Sequence, residues 1–256
     1  MGTEHDGRYG RWRLEEEDQK EVVVYRGGLG VAAAGALCMA AGTFVPDLGT
    51  TGAQNIGLAM FACGLGAAVF SIHVYVAQAK LLVQGLWGFG SACCIVEQLA
   101  GHDVSWLATR PLHATVTLGP LAAAMTGLAL KEAVCYGRAS AAVLGSSLPL
   151  CVLALLLSGN GGEGTGAGVA RASGSLAAIS MLVFAAGKWA QPIADDVGDK
   201  SVFRRIREEE INEREMELLQ RERGGEDVQF ELEEVRRERA HVQSKYALVT
   251  EAVDGK

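Results

Sequence analysis

Charge is nearly missing from the middle of this chain. Residues 27–190 hold six Lys or Arg and five Asp or Glu in 164 positions, whereas residues 200–256 hold twelve and fifteen in 57. A water-soluble domain carries charge over its whole surface, so the uncharged region argues against an ordinary soluble fold. The composition predicts a polar N-terminal arm (1–26), an apolar domain (27–190) and a charged C-terminal arm (191–256).

Other missing features narrow the class of protein. The six cysteines form no Cys-x-x-Cys pair, and no Gly-Lys-Ser/Thr follows the glycine-rich segment 158–168. No basic patch interleaved with aromatic residues is present, and a secretory signal needs an early apolar core, whereas the first apolar run here lies at 22–24. The sequence therefore gives no support to a disulfide framework, a phosphate-binding loop or a nucleic-acid partner.

Six apolar segments make up the uncharged region: roughly 27–45, 54–76, 81–100, 113–130, 139–158 and 170–189. Each holds enough residues, at ~1.5 Å per residue, to cross a hydrocarbon core of ~30 Å. The sequence thus predicts an all-α polytopic membrane protein with six transmembrane helices. A turn cluster at 46–52 ends the first segment, and Pro120 and Pro149 are expected to kink the fourth and fifth.

Basic residues set the expected orientation. Five lie in the N-terminal arm, and Lys80, Lys131 and Arg138 lie in loops on the same predicted side as the C-terminal arm. The other side has only Arg110 and Arg171. The positive-inside rule then predicts that both termini face the cytosol or stroma.

Two stripes of small residues at i+4 spacing suggest close helix packing within the bundle, with helix-mediated dimerisation as the alternative. They are Gly28, Ala32, Ala36 and Ala40 in the first segment, and Ala59, Cys63, Ala67 and Ser71 in the second.

The C-terminal arm predicts a helix over 201–223, a break at Gly224 and Gly225, and a second helix over about 227–250. The second helix has one narrow apolar seam with the spacing of a coiled coil. Its members are Val228, Leu232, Val235, Arg239, Val242, Tyr246 and Val249. A helical hairpin, a coiled coil with a protein partner and a solvated tail are all compatible with this pattern.

Ionisable residues at membrane depth are candidates for function, because lipid-exposed charge is unfavourable. The intramembrane or interfacial candidates are His73, Glu97, His113, Lys131, Glu132, Arg138 and Lys188. Lys131 and Glu132 suggest a mutual or interhelical ion pair, and Lys188 with Trp189 suggests an interfacial anchor.

His73 is the most interior of these candidates, so it is the candidate ligand for a haem or chlorophyll, with a hydrogen-bonded structural role as the alternative. Glu97, His102, Asp103 and His113 are expected at one side of the membrane. They lack diagnostic ligand spacing, so no metal is assigned to them. The cofactor therefore stays unknown, and no catalytic constellation is recognisable.

Four motifs occur in order along the chain: EVVVYR (21–26), SIHVY (71–75), LKEAVCYGR (130–138) and DVGDKSVF (196–203). Together they resemble a family of multi-spanning membrane proteins of unknown function from cyanobacteria and plastids, over about residues 8–206. The last motif supplies the family-like positions Asp196, Gly198, Asp199, Lys200, Ser201 and Phe203.

The resemblance implies a photosynthetic or plastid membrane (thylakoid or inner envelope) and brings no catalytic residues. We therefore expect a non-catalytic accessory or assembly protein, embedded in lipid, with a protein partner bound through the C-terminal arm. The alternatives are a small-solute or ion transporter and a pigment- or haem-binding protein that uses His73.

Overall fold

The computed structural model describes residues 3–45, 52–74, 76–158 and 165–251, apart from the side chains of 165 and 244–251. Most of the predicted turn at 46–52, Tyr75, most of the glycine-rich segment and the side chains of Tyr246 and Val249 lie outside the described residues. Two compact units are present. The membrane unit comprises residues 21–192, and the polar unit comprises residues 1–20 and 193–256.

Seven helices carry the described part of the membrane unit. They are α1 (Glu16–Phe44), α2 (Ala53–Ser71), α3 (Ala77–Leu99), α4 (Val104–Ala108), α5 (Pro111–Tyr136), α6 (Ala139–Leu157) and α7 (Thr165–Trp189). All except the short α4 are long and apolar enough to cross a membrane. The predicted all-α fold with six transmembrane helices is confirmed.

Local sequence signals explain where these helices begin and end. Pro111 begins α5, where its missing N–H is not needed, and Gly137 ends it in the left-handed conformation (φ 63°). Pro120 lies inside α5 and Pro149 inside α6, as expected. The first helix begins at Glu16, eleven residues before the predicted apolar segment. Its acidic first turn favours helix because carboxylates stabilise the positive end of the helix dipole.

Glycines let α1 and α2 approach closely. A Cβ added at Gly64 would lie 2.5 Å from both the backbone nitrogen of Ala32 and the carbonyl oxygen of Gly28. The first predicted stripe therefore lies in a helix–helix contact. In the second stripe Ala59 and Cys63 are exposed, so they do not pack within the bundle, whereas Ala67 lies against Gly28 of α1. The contact face of α2 includes Gly57 and Gly64, and the dimerisation alternative stays a prediction.

The membrane unit has one apolar core, and residues without exposed surface from α1, α2, α5 and α7 meet in it. Leu29, Leu65, Met125 and Phe184 are among these residues. Helix α3 contributes little, since only Gly90 and Cys94 of its 23 residues are buried. Most of α3 is therefore available to lipid.

The polar unit contains a short β-hairpin that the sequence did not indicate. Strands β1 (Glu4–Gly7) and β2 (Gly10–Arg13) pair antiparallel, with His5 opposite Trp12. Three helices follow the membrane unit: α8 (Ile193–Val197), α9 (Lys200–Arg223) and α10 (Gln229–Glu251).

Helices α9 and α10 pack against each other as a helical hairpin. Its buried core combines two residues of α9 with the seam of the second helix: Ile211, Leu218, Val228, Leu232, Val235 and Val242. Arg239, which interrupts the apolar seam, lies 2.5 Å from Glu215 and donates to the amide oxygen of Asn212 at 2.7 Å. The interruption is thus a polar contact across the hairpin.

Candidate functional site

A buried ion pair joins α5 to α7 within the membrane unit. Lys188 Nζ donates to Glu132 Oε2 at 2.5 Å, and neither side chain has any exposed surface. Glu132 lies in the last turns of α5 and Lys188 in the last turn of α7. Each of these two buried ions stabilises the other, because an unpaired buried charge is strongly unfavourable.

The second oxygen of Glu132 has two further partners. Lys131 Nζ donates to Oε1 at 3.1 Å, and the Tyr25 hydroxyl of α1 donates to the same oxygen at 3.2 Å. One carboxylate therefore links α1 to the C-terminal turns of α5 and α7. We call Tyr25, Lys131, Glu132 and Lys188 the terminal charge cluster.

Aromatic rings surround the ammonium of Lys188. Its Nζ lies 5.5 Å from the ring centres of Tyr25 and Tyr136, and 5.9 Å from that of Phe184. A desolvated cation gains about 2 kcal/mol or more from an aromatic face. The rings thus add to the stabilisation that the Glu132 carboxylate gives to the buried ammonium. The expected interfacial anchor role of Lys188 is wrong, since its charge is satisfied inside the protein while Trp189 is exposed.

The same end of the membrane unit holds two more cations. Arg26 is buried and donates to the carbonyl oxygen of Pro192 at 3.1 Å. Arg138, at the N-terminus of α6, lies against Gly187, where an added Cβ would be 3.2 Å from its guanidinium. Because Glu21, Arg26 and Pro192 share this end, we call it the terminal end of the membrane unit.

His73 also lies at the terminal end, not deep in the bundle. Helix α2 ends at Ser71, and His73 Nε2 lies 3.0 Å from Glu21 Oε2. The expectation that His73 is the most interior candidate is therefore wrong. The helix ends two residues before it, and a metal ligated through Nε2 would have to displace the carboxylate.

A second polar cluster lies at the opposite end, around Glu97 near the end of α3. Its two carboxylate oxygens lie 2.6 Å from His102 Nδ1 and 2.9 Å from His113 Nδ1. The indole of Trp106 stacks on His102 with ring centres 3.6 Å apart. Asp103 does not join the cluster, since its side chain accepts from Trp106 N and caps α4.

Hydrogen bonds, and not a metal-binding arrangement, hold this opposite-end cluster together. In the described ranges no group of three His, Cys, Asp or Glu is arranged to hold a metal ion. Each oxygen of Glu97 instead faces one imidazole nitrogen. The cluster ties the loop around α4 to α3 and α5, and it resembles no nucleophile–base arrangement.

An apolar cavity of about 500 Å³ occupies the opposite-end half of the membrane unit. Its floor includes Phe61, Leu121 and Met181, and its rim includes Thr43 and Arg171. Its volume falls within the range of ligand pockets, roughly 300–1,000 Å³. The sequence could not reveal it, because no residue pattern marks a gap between helices.

The family-like motif lies in the polar unit, where it holds the N-terminal segment. Asp199 accepts from Ser201 N and caps α9, which confirms the predicted N-cap. Its Oδ2 also accepts from Arg8 N at 2.6 Å, and Ser201 Oγ accepts from Tyr9 N at 2.9 Å. The turn of the β-hairpin therefore docks on the start of α9.

The other motif residues support this docking. Lys200 Nζ donates to Asp18 Oδ2 at 2.7 Å, which fastens the first turn of α1 to α9. Gly198 has φ 76° at the end of α8, a conformation that favours glycine. Asp196 is buried, and Phe203 is half-buried on α9.

Hydrogen bonds stabilise the ionised form of Asp199. Burial alone raises the pKa of this carboxyl, but the hydrogen bonds from Arg8 N and from Ser201 outweigh burial and lower the pKa below its usual value. The anion is therefore the form that holds the β-hairpin turn.

Sequence reasoning missed Tyr25 as a member of the terminal charge cluster. Tyr25 and Glu132 are 107 residues apart, and nothing in either local pattern shows that α1 and α5 touch. The one available signal was that both residues lie in the motifs that carried the family resemblance.

Six apolar helices, few intramembrane charges and a buried ion pair between helix ends define an integral membrane protein. Residues 67–205 match the family described as "Uncharacterized integral membrane protein (DUF2301)", and the chain belongs to that family. The matched part begins within α2 and ends within α9, so it includes Glu132, Lys188 and Asp199 but not Tyr25. No curated protein and no solved structure matches the chain.

Proposed function

We propose that this protein is a non-catalytic accessory or assembly component of a membrane protein complex. The observation that carries the proposal is the α9–α10 hairpin, a folded and highly charged element that the membrane helices do not require for their own core. In this proposal the membrane unit anchors the protein in lipid, and the hairpin binds a protein partner.

The ion pairs and the exposed apolar residues of the hairpin support a binding role. Ion pairs such as Arg214–Glu238 and Arg221–Glu231 join its two helices and fix their register. Met216 and Phe230 are 63% and 79% exposed on this otherwise charged surface. Large apolar side chains at a polar surface are typical anchors of protein interfaces.

Purification from native membranes tests the proposal. A tagged full-length protein is expected to migrate on native gels with a larger complex. A Met216→Ser, Phe230→Ser double variant is expected to lose part of that association. Arg237→Ala changes an exposed charge on the same hairpin and is the matched control, expected to keep the complex. Migration of the unaltered protein only as a free monomer would contradict the proposal.

The cellular setting belongs to the same proposal. The resemblance favours a thylakoid, inner envelope or cyanobacterial-type membrane, with both termini in the stroma or cytosol. Fractionation of plastid membranes with an antibody to the C-terminal arm tests this location. Recovery of the protein in a non-plastid membrane fraction would contradict it.

Hydrophilic solute transport is less well supported. The described cavity lies in one half of the membrane unit, and its floor is made of Phe61, Leu121 and Met181, so it offers no polar path at the centre of the bundle. Pigment binding through His73 is also weakened, because Glu21 occupies Nε2.

A further inference from the structure

The walls of the cavity are apolar even where their residues are polar. The side-chain hydroxyls on the walls donate to carbonyl oxygens of their own helices, at 2.6–2.8 Å, for Thr43, Thr109, Ser158 and Ser175. Deeper in, Gln54 accepts from Ser105 Oγ at 3.0 Å, and Cys151 Sγ donates to the Ala170 carbonyl. These donors are therefore already used within the protein, and the walls present mainly carbon to an occupant.

Arg171 differs from the other lining residues. It is the one charged side chain among the described residues that line the cavity. Its Nε donates weakly to the Ala167 carbonyl, at 3.4 Å, and the side chain is exposed at the rim. A guanidinium has five N–H donors, and only the one at Nε bonds to a carbonyl oxygen of its own helix.

The cavity extends along one face of α7. Arg171, Gly174, Ala178 and Met181 line it at i, i+3, i+7 and i+10, from the rim to the floor. Ten residues of helix span ~15 Å, so these residues line the cavity over most of the length of a long hydrocarbon chain. The cavity thus has one cation at its rim and apolar walls below the rim. This arrangement matches an amphiphile with one negative charge and a hydrocarbon chain.

We propose that this cavity binds a long-chain fatty acid, with the chain among α1, α2, α5, α6 and α7 and the carboxylate on Arg171. A guanidinium matches a carboxylate in bidentate geometry, and a single cation balances a monoanion better than a phosphate dianion. This binding site is independent of the hairpin and of the proposed accessory function.

Radiolabelled palmitate binding to the full-length protein in phosphatidylcholine nanodiscs tests the proposal, with empty nanodiscs giving the background. Saturable binding near one palmitate per protein is expected, with much weaker binding of hexadecanol, which has the same chain and no charge. Arg171→Gln is expected to weaken palmitate binding at least tenfold and to leave hexadecanol unchanged. Arg110→Gln is the matched control at the same end, because Arg110 lies over Trp106 and does not line the cavity.

A second pair of variants tests the chain site. Ala178→Phe places a ring inside the cavity and is expected to abolish saturable binding, whereas Ile179→Phe points to the exposed side of α7 and is expected to have no effect. The decision does not depend on whether Ala178→Phe folds, since Arg171 is exposed and its substitution leaves the core intact. Equal binding of palmitate and hexadecanol, or unchanged palmitate affinity in Arg171→Gln, would overturn the proposal.

Discussion

At the scale of single residues, Glu132 is the centre of the terminal charge cluster. Its carboxylate contacts both Lys188 and Lys131, and it also accepts from the Tyr25 hydroxyl. Glu132→Gln removes the negative charge from a buried site that holds two cations, so we expect a loss of about 3–5 kcal/mol in the free energy of unfolding. Thermal unfolding in a mild detergent, followed by gel filtration of the heated protein, measures the change.

Two further substitutions show which contacts of Glu132 matter most. Lys188→Met leaves Glu132 with Lys131 and Tyr25, so its effect is expected to be smaller than that of Glu132→Gln. Lys131→Met is expected to have the smallest effect, because its side chain keeps some exposure to solvent (17%) and Glu132 keeps Lys188. A Lys131→Met effect equal to that of Glu132→Gln would show that the pair with Lys188 is not the main contact.

These residues also show where prediction from sequence ends. The rarity of charge in the apolar region was enough to mark Lys131, Glu132 and Lys188 as important. The Glu132–Lys188 pair spans 56 residues, and local spacing does not say which helices are neighbours. The six helices themselves were predictable, because a long uncharged run has few alternatives.

At the scale of elements, the contact between α1 and α2 depends on glycine. Gly64→Ala would place a Cβ 2.5 Å from backbone atoms of α1, so the helices must move apart, and we expect a lower melting temperature. Gly30→Ala is the matched control in α1, because a Cβ there meets no atom within 4 Å and alanine favours helix. Equal melting temperatures for the two variants would show that the close approach of the backbones is not needed.

The β-hairpin and α9 provide a prediction about pH. Since the pKa of Asp199 is lowered on folding, its anion stabilises the docked hairpin at pH values above the unfolded pKa of ~3.9. This contribution is lost as the pH falls through the lower folded pKa. The protection of residues 3–14 from hydrogen exchange, relative to the unfolded chain at the same pH, is therefore expected to fall below about pH 4. Asp199→Asn is expected to show low protection at every pH, and an unchanged pH dependence of protection in that variant would contradict the assignment.

The four-residue strands of this hairpin illustrate a second limit of sequence reasoning. Residues 4–13 hold no apolar alternation, so nothing marked them as strands. Their position depends on Gly7, where an added Cβ would lie closer than 2.5 Å to Asp199 Oδ1. That contact joins residues almost two hundred positions apart, which no local pattern encodes.

At the scale of the whole molecule, the last prediction concerns sidedness. Six crossings return the chain to the side on which it started, and the excess of Lys and Arg in the arms favours the cytosolic or stromal side. Protease sites introduced at residue 1, at residue 256 and in the segment 158–168 report the sides in sealed vesicles. The two terminal sites are expected to be cut together from the cytosolic or stromal face, and the third only after the vesicles are opened. Cleavage of only one terminus in sealed vesicles would mean that the number of crossings is odd, and cleavage of the third site alone would mean that the orientation is reversed.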